Sequence, residues 1–333
     1  MIINYKILIS VCLSLITLIL ISYRKKFEKR YNFLDNPRVF NRKIHKKLTS
    51  NIGGLACLIP FLIAISLSFV YENLYTKKFL IISFLSSSLL FFLGKIDDDR
   101  NISATKKIFL LIAFFFLLYT NEPNLIVNII QFKYHEKKFF LSVSSVYFTF
   151  FCLFIFYNTC NFIDGYNGIF ASLIIFWILY LIIFSKLISI ILLTLLFSLI
   201  IFLYFNLRNI VFIGNSGNIF ISYFVGSYFI YDYNSFQLIF CDEIFLLFLI
   251  PGIDTVRVVI ERLIKRKSPL LGDKIHIHHL LESKVKAKYL WIIILMATTL
   301  PIIFLKLLEN FILTIFIGFF IYYLLYKFST KLR

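Results

Sequence analysis

The sequence predicts an all-α protein that crosses a membrane many times, and three observations lead to this fold class. First, 60% of the 333 residues are hydrophobic and the mean hydropathy is +0.88, which exceeds what a soluble domain of this length can bury. Second, the apolar residues form runs close to the roughly 20 residues that a helix needs to cross a bilayer. Third, lysine and arginine are shared unequally between alternate loops, as in polytopic membrane proteins.

Counting the apolar runs predicts about eleven transmembrane helices in a single transmembrane domain over residues 1–333. The first run contains one basic residue, Lys6, and no small-residue cleavage site, so it is interpreted as a helix and not as a signal peptide. No internal repeat and no soluble domain interrupts the series. The candidate spans lie near 6–23, 52–71, 79–94, 108–121, 139–157, 168–185, 187–205, 211–231, 238–256, 289–307 and 310–327.

The basic residues orient these helices. With the N-terminus outside, 27 of the 35 lysine and arginine residues fall on the inside and 8 fall on the outside. Because positively charged loops stay on the cytoplasmic side, we expect the N-terminus outside and the C-terminus in the cytoplasm. This orientation places every polar motif on the cytoplasmic side, which predicts one site there. The cytoplasmic loops that would form this site are 23–51, 94–107, 158–168, 206–218 and 257–288.

Charge and cysteine content exclude several classes of protein. The net charge is +18, but no soluble basic domain is present that could bind nucleic acid, so the charge is assigned to cytoplasmic loops and anionic headgroups. The five cysteines form no CxxC pair and are interpreted as small apolar residues in helices. The middles of the spans are almost free of charge, which disfavours a transporter or channel with a charged path.

Three consecutive aspartates, Asp97, Asp98 and Asp99, end the third apolar run. Carboxylates are costly beside lipid, and adjacent carboxylates can hold a divalent cation. With Lys106 and Lys107 following them, they indicate chemistry on a phosphate at the membrane surface. The alternative is a charged helix end in contact with solvent.

A row of polar residues ends another span. Asn158, Asn161 and Asp164 recur at every third residue and therefore share one helical face. Gly165 and Gly168 follow, and they allow a close approach of the backbone to a ligand. This pattern indicates a binding site, whereas the alternative is a satisfied polar turn between spans.

Three of the five histidines, His276, His278 and His279, lie within four residues. Histidine is a common zinc ligand, but neither cysteines nor an HExxH motif accompany these histidines. We therefore prefer a cationic, hydrogen-bonding cluster that binds a diphosphate, to which Arg257 and Arg262 add charge.

Two other segments carry weaker patterns. Small and polar residues open a span at 214–218, which is equally compatible with a helix start softened by glycine. The first cytoplasmic loop contains Arg42 and His45 and ends in two glycines at 53–54. An ordinary positively charged loop explains its lysines but not this glycine pair.

Together these residues resemble the polyprenyl-phosphate N-acetylhexosamine-1-phosphate transferases, the MraY/WecA family, also known as glycosyltransferase family 4. The resemblance covers about residues 35–281 in the expected order, and the number of spans and the HxHH form are more similar to the WecA branch. The matching residues are Asp35, Pro37, Arg42, Lys43, His45, Gly53, Gly54, Gly94, Asp97, Asp98, Lys107, Asn158, Asn161, Asp164, Gly165, Gly168, Pro251, Asp254, Thr255, Arg262, Ser268, Pro269, Asp273, His276, His278 and His279.

The resemblance implies an activity and its partners. A UDP-N-acetylaminosugar, with N-acetylglucosamine as the default sugar, would give its sugar-1-phosphate to undecaprenyl phosphate and release UMP. The product would begin an O-antigen, a capsule or another wall glycan at the bacterial inner membrane. Mg²⁺ is the implied cofactor, with Mn²⁺ as a substitute. A homodimer is compatible with the resemblance, and the pathway and the sugar stay open.

The resemblance also implies roles for individual residues. Asp97, Asp98 and Asp164 would be the catalytic carboxylates. Asp98, Asp164 and Asn215 would hold the metal. The substrates would be bound by Lys107, Asn158, Asn161, Arg262, His276, His278, His279, Arg42 and His45.

The sequence departs from the family pattern at three positions. Asn215 stands where the family has an aspartate that binds metal, so one negative charge is lost and a raised metal requirement is expected. Asn167 replaces a second carboxylate, and Ser50 stands where a proline is usual. These departures leave one alternative, an inactive relative that binds lipid phosphate or partner proteins without turnover.

Overall fold

The computed structural model describes residues 2–31, 33–35, 49–100, 102–134, 136–185, 188–268 and 274–330. These ranges contain fourteen α-helices and four short strands. The helices are α1 (Ile2–Ser22), α2 (Arg24–Tyr31), α3 (Gly53–Tyr71), α4 (Lys77–Arg100), α5 (Ala104–Leu118), α6 (Ser145–Ile163), α7 (Ile169–Phe184), α8 (Ile190–Leu207), α9 (Gly214–Ser235), α10 (Cys241–Leu247), α11 (Leu249–Ile264), α12 (Ile277–Glu282), α13 (Leu290–Leu308) and α14 (Phe311–Thr330). The strands are β1 (Leu34–Asp35), β2 (Thr49–Ser50), β3 (Ile129–Gln131) and β4 (Lys138–Phe140), which form two antiparallel pairs, β1 with β2 and β3 with β4.

The helical, multi-pass character predicted from the sequence is confirmed. Seven helices in the described ranges are long and apolar enough to cross a membrane. Each of the eleven predicted spans overlaps a helix, but the number that cross and their orientation stay predictions. The seven are Asn4–Ser22, Gly53–Tyr71, Lys77–Arg100, Ser142–Ile163, Ile190–Leu207, Ala287–Leu308 and Phe311–Thr330.

Several predicted spans have different boundaries in the structure, and two of them are not continuous helices. The span expected at 139–157 begins with strand β4, because Lys137 and Lys138 lie in a hairpin with β3, and helix α6 starts only at Ser145. The span expected at 238–256 is divided at Phe248 into α10 and α11.

Proline explains the division between α10 and α11. Pro251 has no backbone N–H to donate to the carbonyl group of Leu247, four residues earlier, and its ring crowds that group. The Leu247 carbonyl instead accepts a hydrogen bond from the Trp177 indole, at 3.1 Å. A buried carbonyl that the helix ladder cannot satisfy has thereby found another donor.

Helix α9 lies at the centre of the bundle, and every residue from Ser216 to Tyr233 is buried. It packs against α3, α4 and α6. Two glycines allow this approach: a Cβ on Gly94 would lie 2.4 Å from the Ser216 Cα, and one on Gly54 would lie 2.5 Å from the Gly217 nitrogen. The N-terminus of α9 is therefore held directly against the C-terminal end of α4 and the start of α3.

Buried ion pairs connect the helices at the opposite end of the bundle. Glu72, after α3, pairs with Lys6 of α1 at 2.7 Å and accepts hydrogen bonds from Ser68 and from the nitrogen of Ile190. Glu243 of α10 pairs with Lys306 of α13. This end of the molecule is referred to below as the distal end.

Candidate active site

Asp98 lies at the N-terminus of α9. Its Oδ1 accepts a hydrogen bond from the nitrogen of Asn215 at 2.9 Å, and its Oδ2 accepts one from the nitrogen of Ser216 at 3.2 Å. Gly214 precedes them with φ of +71°, a left-handed conformation in which a side chain would also meet the Asp98 carboxylate. A carboxylate is favoured here because it meets N–H groups that the helix leaves unpaired and the positive end of the helix dipole.

The asparagine row on α6 reaches the same helix N-terminus. The Asn161 amide donates to the side-chain oxygen of Asn215 at 3.4 Å, and the Asn218 amide donates to the Cys160 carbonyl at 3.1 Å. Asp164, at the end of α6, interacts with Asn218 and lies within electrostatic range of Asp98. The structure therefore brings Asp98, Asp164 and Asn215 together, although 117 residues separate Asp98 from Asn215.

The electrostatics of Asp164 reflect this crowding. Asp164 is exposed by surface area, but the protein atoms packed around its carboxylate still desolvate it. This desolvation raises the pKa of Asp164 above its ordinary value, the Asn218 amide opposes the shift, and the charge of Asp98 adds to it. The two carboxylates repel each other electrostatically. A cation bound between them would relieve this repulsion and be stabilised there.

Asp97 points to a different partner from Asp98. It is buried, its Oδ2 lies 2.5 Å from the Lys107 ammonium group, and its Oδ1 accepts a hydrogen bond from the nitrogen of Ile102 at 3.0 Å. Asp99 is exposed and pairs with Lys95 at 2.7 Å. The three adjacent aspartates thus have three different environments, and only Asp98 contacts α9.

Backbone contacts bring the remaining loops to this end of the bundle. Ser50 forms a bridge with Val211, and its carbonyl accepts a hydrogen bond from the nitrogen of Phe212 at 2.7 Å. Asn167 donates to the side-chain oxygen of Asn209 at 2.7 Å. Ser50 and Asn167, which depart from the family pattern, therefore hold the loop that leads into α9.

A network around Asp254 fixes the first histidine of the cluster. The Asp254 Oδ2 lies 2.8 Å from the His276 Nδ1, and its Oδ1 accepts hydrogen bonds from Arg257 and from the Tyr322 hydroxyl, each at 2.8 Å. Asp254 also caps the N-terminus of α12 through the nitrogen of Ile277. The His276 Nε2 is buried without a hydrogen-bond partner in the described part of the chain.

His278 lies beside His276, with the two rings parallel and their centroids 5.7 Å apart. Its Nε2 also has no hydrogen-bond partner among the described residues, and it faces Gly165, where a Cβ would lie 2.6 Å away. Burial, followed by the neighbouring His279 and His276, lowers the pKa of His278 well below its ordinary value. Burial thus favours the neutral form of His278, in which it could serve the expected cluster through hydrogen bonding.

The other predicted binding residues have separate surroundings. His279 contacts the Tyr166 hydroxyl at 3.4 Å. Arg262 is buried, with its guanidinium over the Phe162 ring. The Asn158 amide donates to the Phe154 carbonyl in its own helix. Arg42 and His45 lie outside the described residues.

The donor set near the N-terminus of α9 suits a hard cation. Asp98, Asp164 and Asn215 offer oxygen atoms, which Mg²⁺ prefers, and Mg²⁺ is commonly held by one or two carboxylates together with substrate phosphates and water. No group of three or more His, Cys, Asp or Glu side chains suited to a metal ion occurs in the described ranges. Protein ligands alone would therefore form an incomplete shell, which a diphosphate substrate would complete.

Comparison with known proteins addresses the resemblance directly. The family "Glycosyl transferase family 4" matches residues 80–232. A protein of Bacillus subtilis (strain 168), the "Probable undecaprenyl-phosphate N-acetylglucosaminyl 1-phosphate transferase", is 23% identical over 286 residues, which cover 84% of this chain and 78% of the relative.

The family match and the relative both support the resemblance of this chain to the MraY/WecA transferases. The matched segment contains Asp97, Asp98, Asp164 and Asn215, together with the whole of α6 and most of α9. The histidine cluster and the network around Asp254 lie beyond it. The comparisons support a transferase as the class of enzyme, and the roles of individual residues stay proposals.

Sequence reasoning did not identify two features of this site. One is Tyr322, which reaches Asp254 from the last helix. The other is Asn206, whose side-chain oxygen accepts a hydrogen bond from the nitrogen of Gly168 at 2.7 Å. Asn206 is the first residue of the predicted loop 206–218 but belongs to none of the motifs named there, and Tyr322 lies within an apolar span.

Proposed function

We propose that the protein transfers N-acetylaminosugar-1-phosphate, by default that of N-acetylglucosamine, from its UDP derivative to undecaprenyl phosphate, with release of UMP. The reaction would take place on the cytoplasmic face of the bacterial inner membrane and would begin a lipid-linked surface glycan. The family and the name of the B. subtilis relative support the reaction class. The excess of basic residues in the loops that carry the motifs supports the cytoplasmic face.

One observation carries the proposal: the separate polar motifs meet at the N-terminus of the central helix α9. Asp98 contacts Asn215, Asn161 contacts Asn215, and Ser50 contacts Phe212. Nothing in the spacing of these segments along the chain requires them to meet. A site of oxygen donors at a helix N-terminus, at one end of a membrane bundle, suits the joining of a water-soluble diphosphate to a lipid phosphate.

The proposed reaction forms one phosphorus–oxygen bond and breaks another. An oxygen of undecaprenyl phosphate attacks the phosphorus that carries the sugar, and the bond from that phosphorus to the bridging oxygen breaks. The bridging oxygen leaves with UMP. Asp97 would orient the lipid phosphate or accept its proton, and Lys107, held 2.5 Å from Asp97, would bind a phosphate oxygen.

The remaining residues would bind the donor substrate. His276, whose Nε2 is available for a hydrogen bond, would contact the diphosphate or the sugar. His278 would act as a neutral hydrogen-bonding group, and Arg262 would add positive charge. Mg²⁺ held by Asp98, Asp164 and Asn215 would neutralise charge on the diphosphate and on the departing UMP.

An inactive relative is the second candidate, and Asn215 is the observation that favours it. An asparagine oxygen at this position contributes a weaker ligand than a carboxylate. The site nevertheless keeps the carboxylates of Asp98 and Asp164. We therefore expect turnover with a raised metal requirement and not its absence.

Release of UMP by the purified protein tests the proposal. The protein in detergent is supplied with UDP-N-acetylglucosamine, UDP-N-acetylgalactosamine or a UDP-6-deoxy amino sugar, with and without undecaprenyl phosphate, over a series of Mg²⁺ and Mn²⁺ concentrations. Release that depends on both the lipid and the metal is expected, and the preferred donor identifies the sugar. Binding of undecaprenyl phosphate without release from any donor would support the inactive relative instead.

A further inference from the structure

The Asp254 carboxylate receives hydrogen bonds from four groups on three helices. Arg257 comes from the same helix, α11, His276 and the nitrogen of Ile277 come from the start of α12, and the Tyr322 hydroxyl comes from α14. So many donors, one of them a guanidinium, favour the ionised form of Asp254. Because an ionised carboxylate can only accept, the His276 Nδ1 must carry the proton of their hydrogen bond.

This arrangement determines what His276 can offer to a substrate. With Nδ1 bound to Asp254, the ring is held in one orientation, and Nε2 is the only ring nitrogen left for another contact. Nε2 is buried and has no hydrogen-bond partner among the described residues. The Phe162 ring on one side, at 4.9 Å between centroids, and the parallel His278 ring restrict its movement further.

Tyr322 connects this pair to the last helix. Its hydroxyl donates to the Asp254 Oδ1 at 2.8 Å and accepts from the Arg257 Nε at 2.7 Å. One hydroxyl therefore fixes both the carboxylate and the guanidinium that neutralises it. The next residue, Tyr323, is 52% exposed on the same helix. The side chains around Tyr322 in α14 are largely apolar, so a buried hydroxyl at this position calls for a specific partner.

We propose that Tyr322 is a positioning residue of the active site, which holds Asp254 and Arg257 so that the His276 Nε2 stays directed at the substrate. The last helix thereby contributes to the site without touching a substrate. The effect on turnover rests on the proposed transferase function, whereas the effect on His276 does not. We expect loss of the hydroxyl to lower kcat about tenfold, a typical effect of removing a group that orients a functional histidine.

The substitution Tyr322→Phe tests this role, and Tyr323→Phe on the exposed face is its matched control. Protein labelled with ¹⁵N-histidine is observed by NMR, and the His276 Nδ1–H resonance is assigned by its absence in His276→Gln. In Tyr322→Phe this resonance should shift or broaden, and in Tyr323→Phe it should not change. UMP release should show a lower kcat in Tyr322→Phe, with KM for the UDP-sugar changed by less than about threefold.

The outcomes separate the two hypotheses. If the wild-type protein releases no UMP but the resonance responds to Tyr322→Phe, the positioning role holds and the proposed function fails. If Tyr322→Phe is folded and both the resonance and kcat match the wild type, the positioning role is wrong. A fall in melting temperature with an unchanged resonance would also overturn it, because the hydroxyl would then only stabilise the fold.

Discussion

Carboxylates with little access to water occur at both ends of the helix bundle, but their charges are compensated in different ways. At the distal end, Glu72 pairs with Lys6 and Glu243 pairs with Lys306. Near the N-terminus of α9, Asp98 and Asp164 form no ion pair within the described residues and raise each other's energy. A carboxylate that has its own cation is satisfied within the protein, as Glu72 is by Lys6 and Asp97 is by Lys107, whereas two carboxylates without one are arranged for a ligand that brings positive charge.

Asp232 is an exception at the distal end. It is fully buried near the C-terminal end of α9, and neither carboxylate oxygen has a hydrogen-bond partner among the described residues. Burial of a single acid therefore does not distinguish the two ends of the bundle, whereas the pairing of charged groups does.

Removing the charge of Asp98 should have the largest effect on activity. In Asp98→Asn, an NH₂ group replaces one of the two oxygens that accept from the α9 nitrogens, and a negative charge at the metal site is lost. We expect UMP release to fall at least about 100-fold. The neighbouring Asp99→Asn serves as the control and should stay within about twofold, because Asp99 forms only an exposed pair. Equal losses in the two variants would contradict the assignment.

Breaking the distal pair should lower stability and leave activity intact. Lys6→Met leaves the Glu72 carboxylate buried without its cation, and we expect a cost of about 2 kcal/mol in the free energy of unfolding. Thermal unfolding in detergent measures this cost, with the exposed Lys78→Met as control. UMP release at low temperature should match the wild type. A variant that kept its stability but lost turnover would show that the distal end takes part in the reaction.

Restoring the carboxylate at position 215 should make the site bind metal more tightly. We expect Asn215→Asp to lower the Mg²⁺ concentration for half-maximal UMP release roughly tenfold, because charged ligands increase cation affinity. The Asn161 amide can still donate to an aspartate at this position. Asn209→Asp is the control, since it adds the same charge six residues earlier in the chain, beside Asn167. An unchanged Mg²⁺ dependence in Asn215→Asp would mean that this residue is not a ligand.

The sequence predicted the membrane fold and the meeting of the motifs because both depend on local patterns. Runs of apolar residues have a length set by the bilayer, and the positions of lysine and arginine placed the polar motifs on one side. The proximity of Asp98 and Asn215 is expected only from the resemblance, which assigns both residues to one metal site. The predicted limits of the spans failed where charge or proline acts locally, at Lys137 and at Pro251.

The partners of individual residues could not be predicted in this way. Tyr322 is one of 20 tyrosines, and its contact with Asp254 depends on how α14 packs against α11. The difference between Asp97, which pairs with Lys107, and Asp98, which caps α9, depends on the direction of each side chain around α4. The lowered pKa of His278 depends on its burial. Each of these properties arises from tertiary packing, which cannot be predicted from residue types and their spacing alone.

The burial of α9 also has a consequence for biogenesis. This helix carries asparagine, serine and aspartate and is not among the seven helices apolar enough to cross a membrane alone. Lipid would leave its polar side chains unsatisfied, whereas its neighbours surround it on all sides from Ser216 to Tyr233. α9 must therefore leave the translocon into a space already formed by α3, α4 and α6. These three helices precede α9 in the chain and are therefore synthesised and inserted before it.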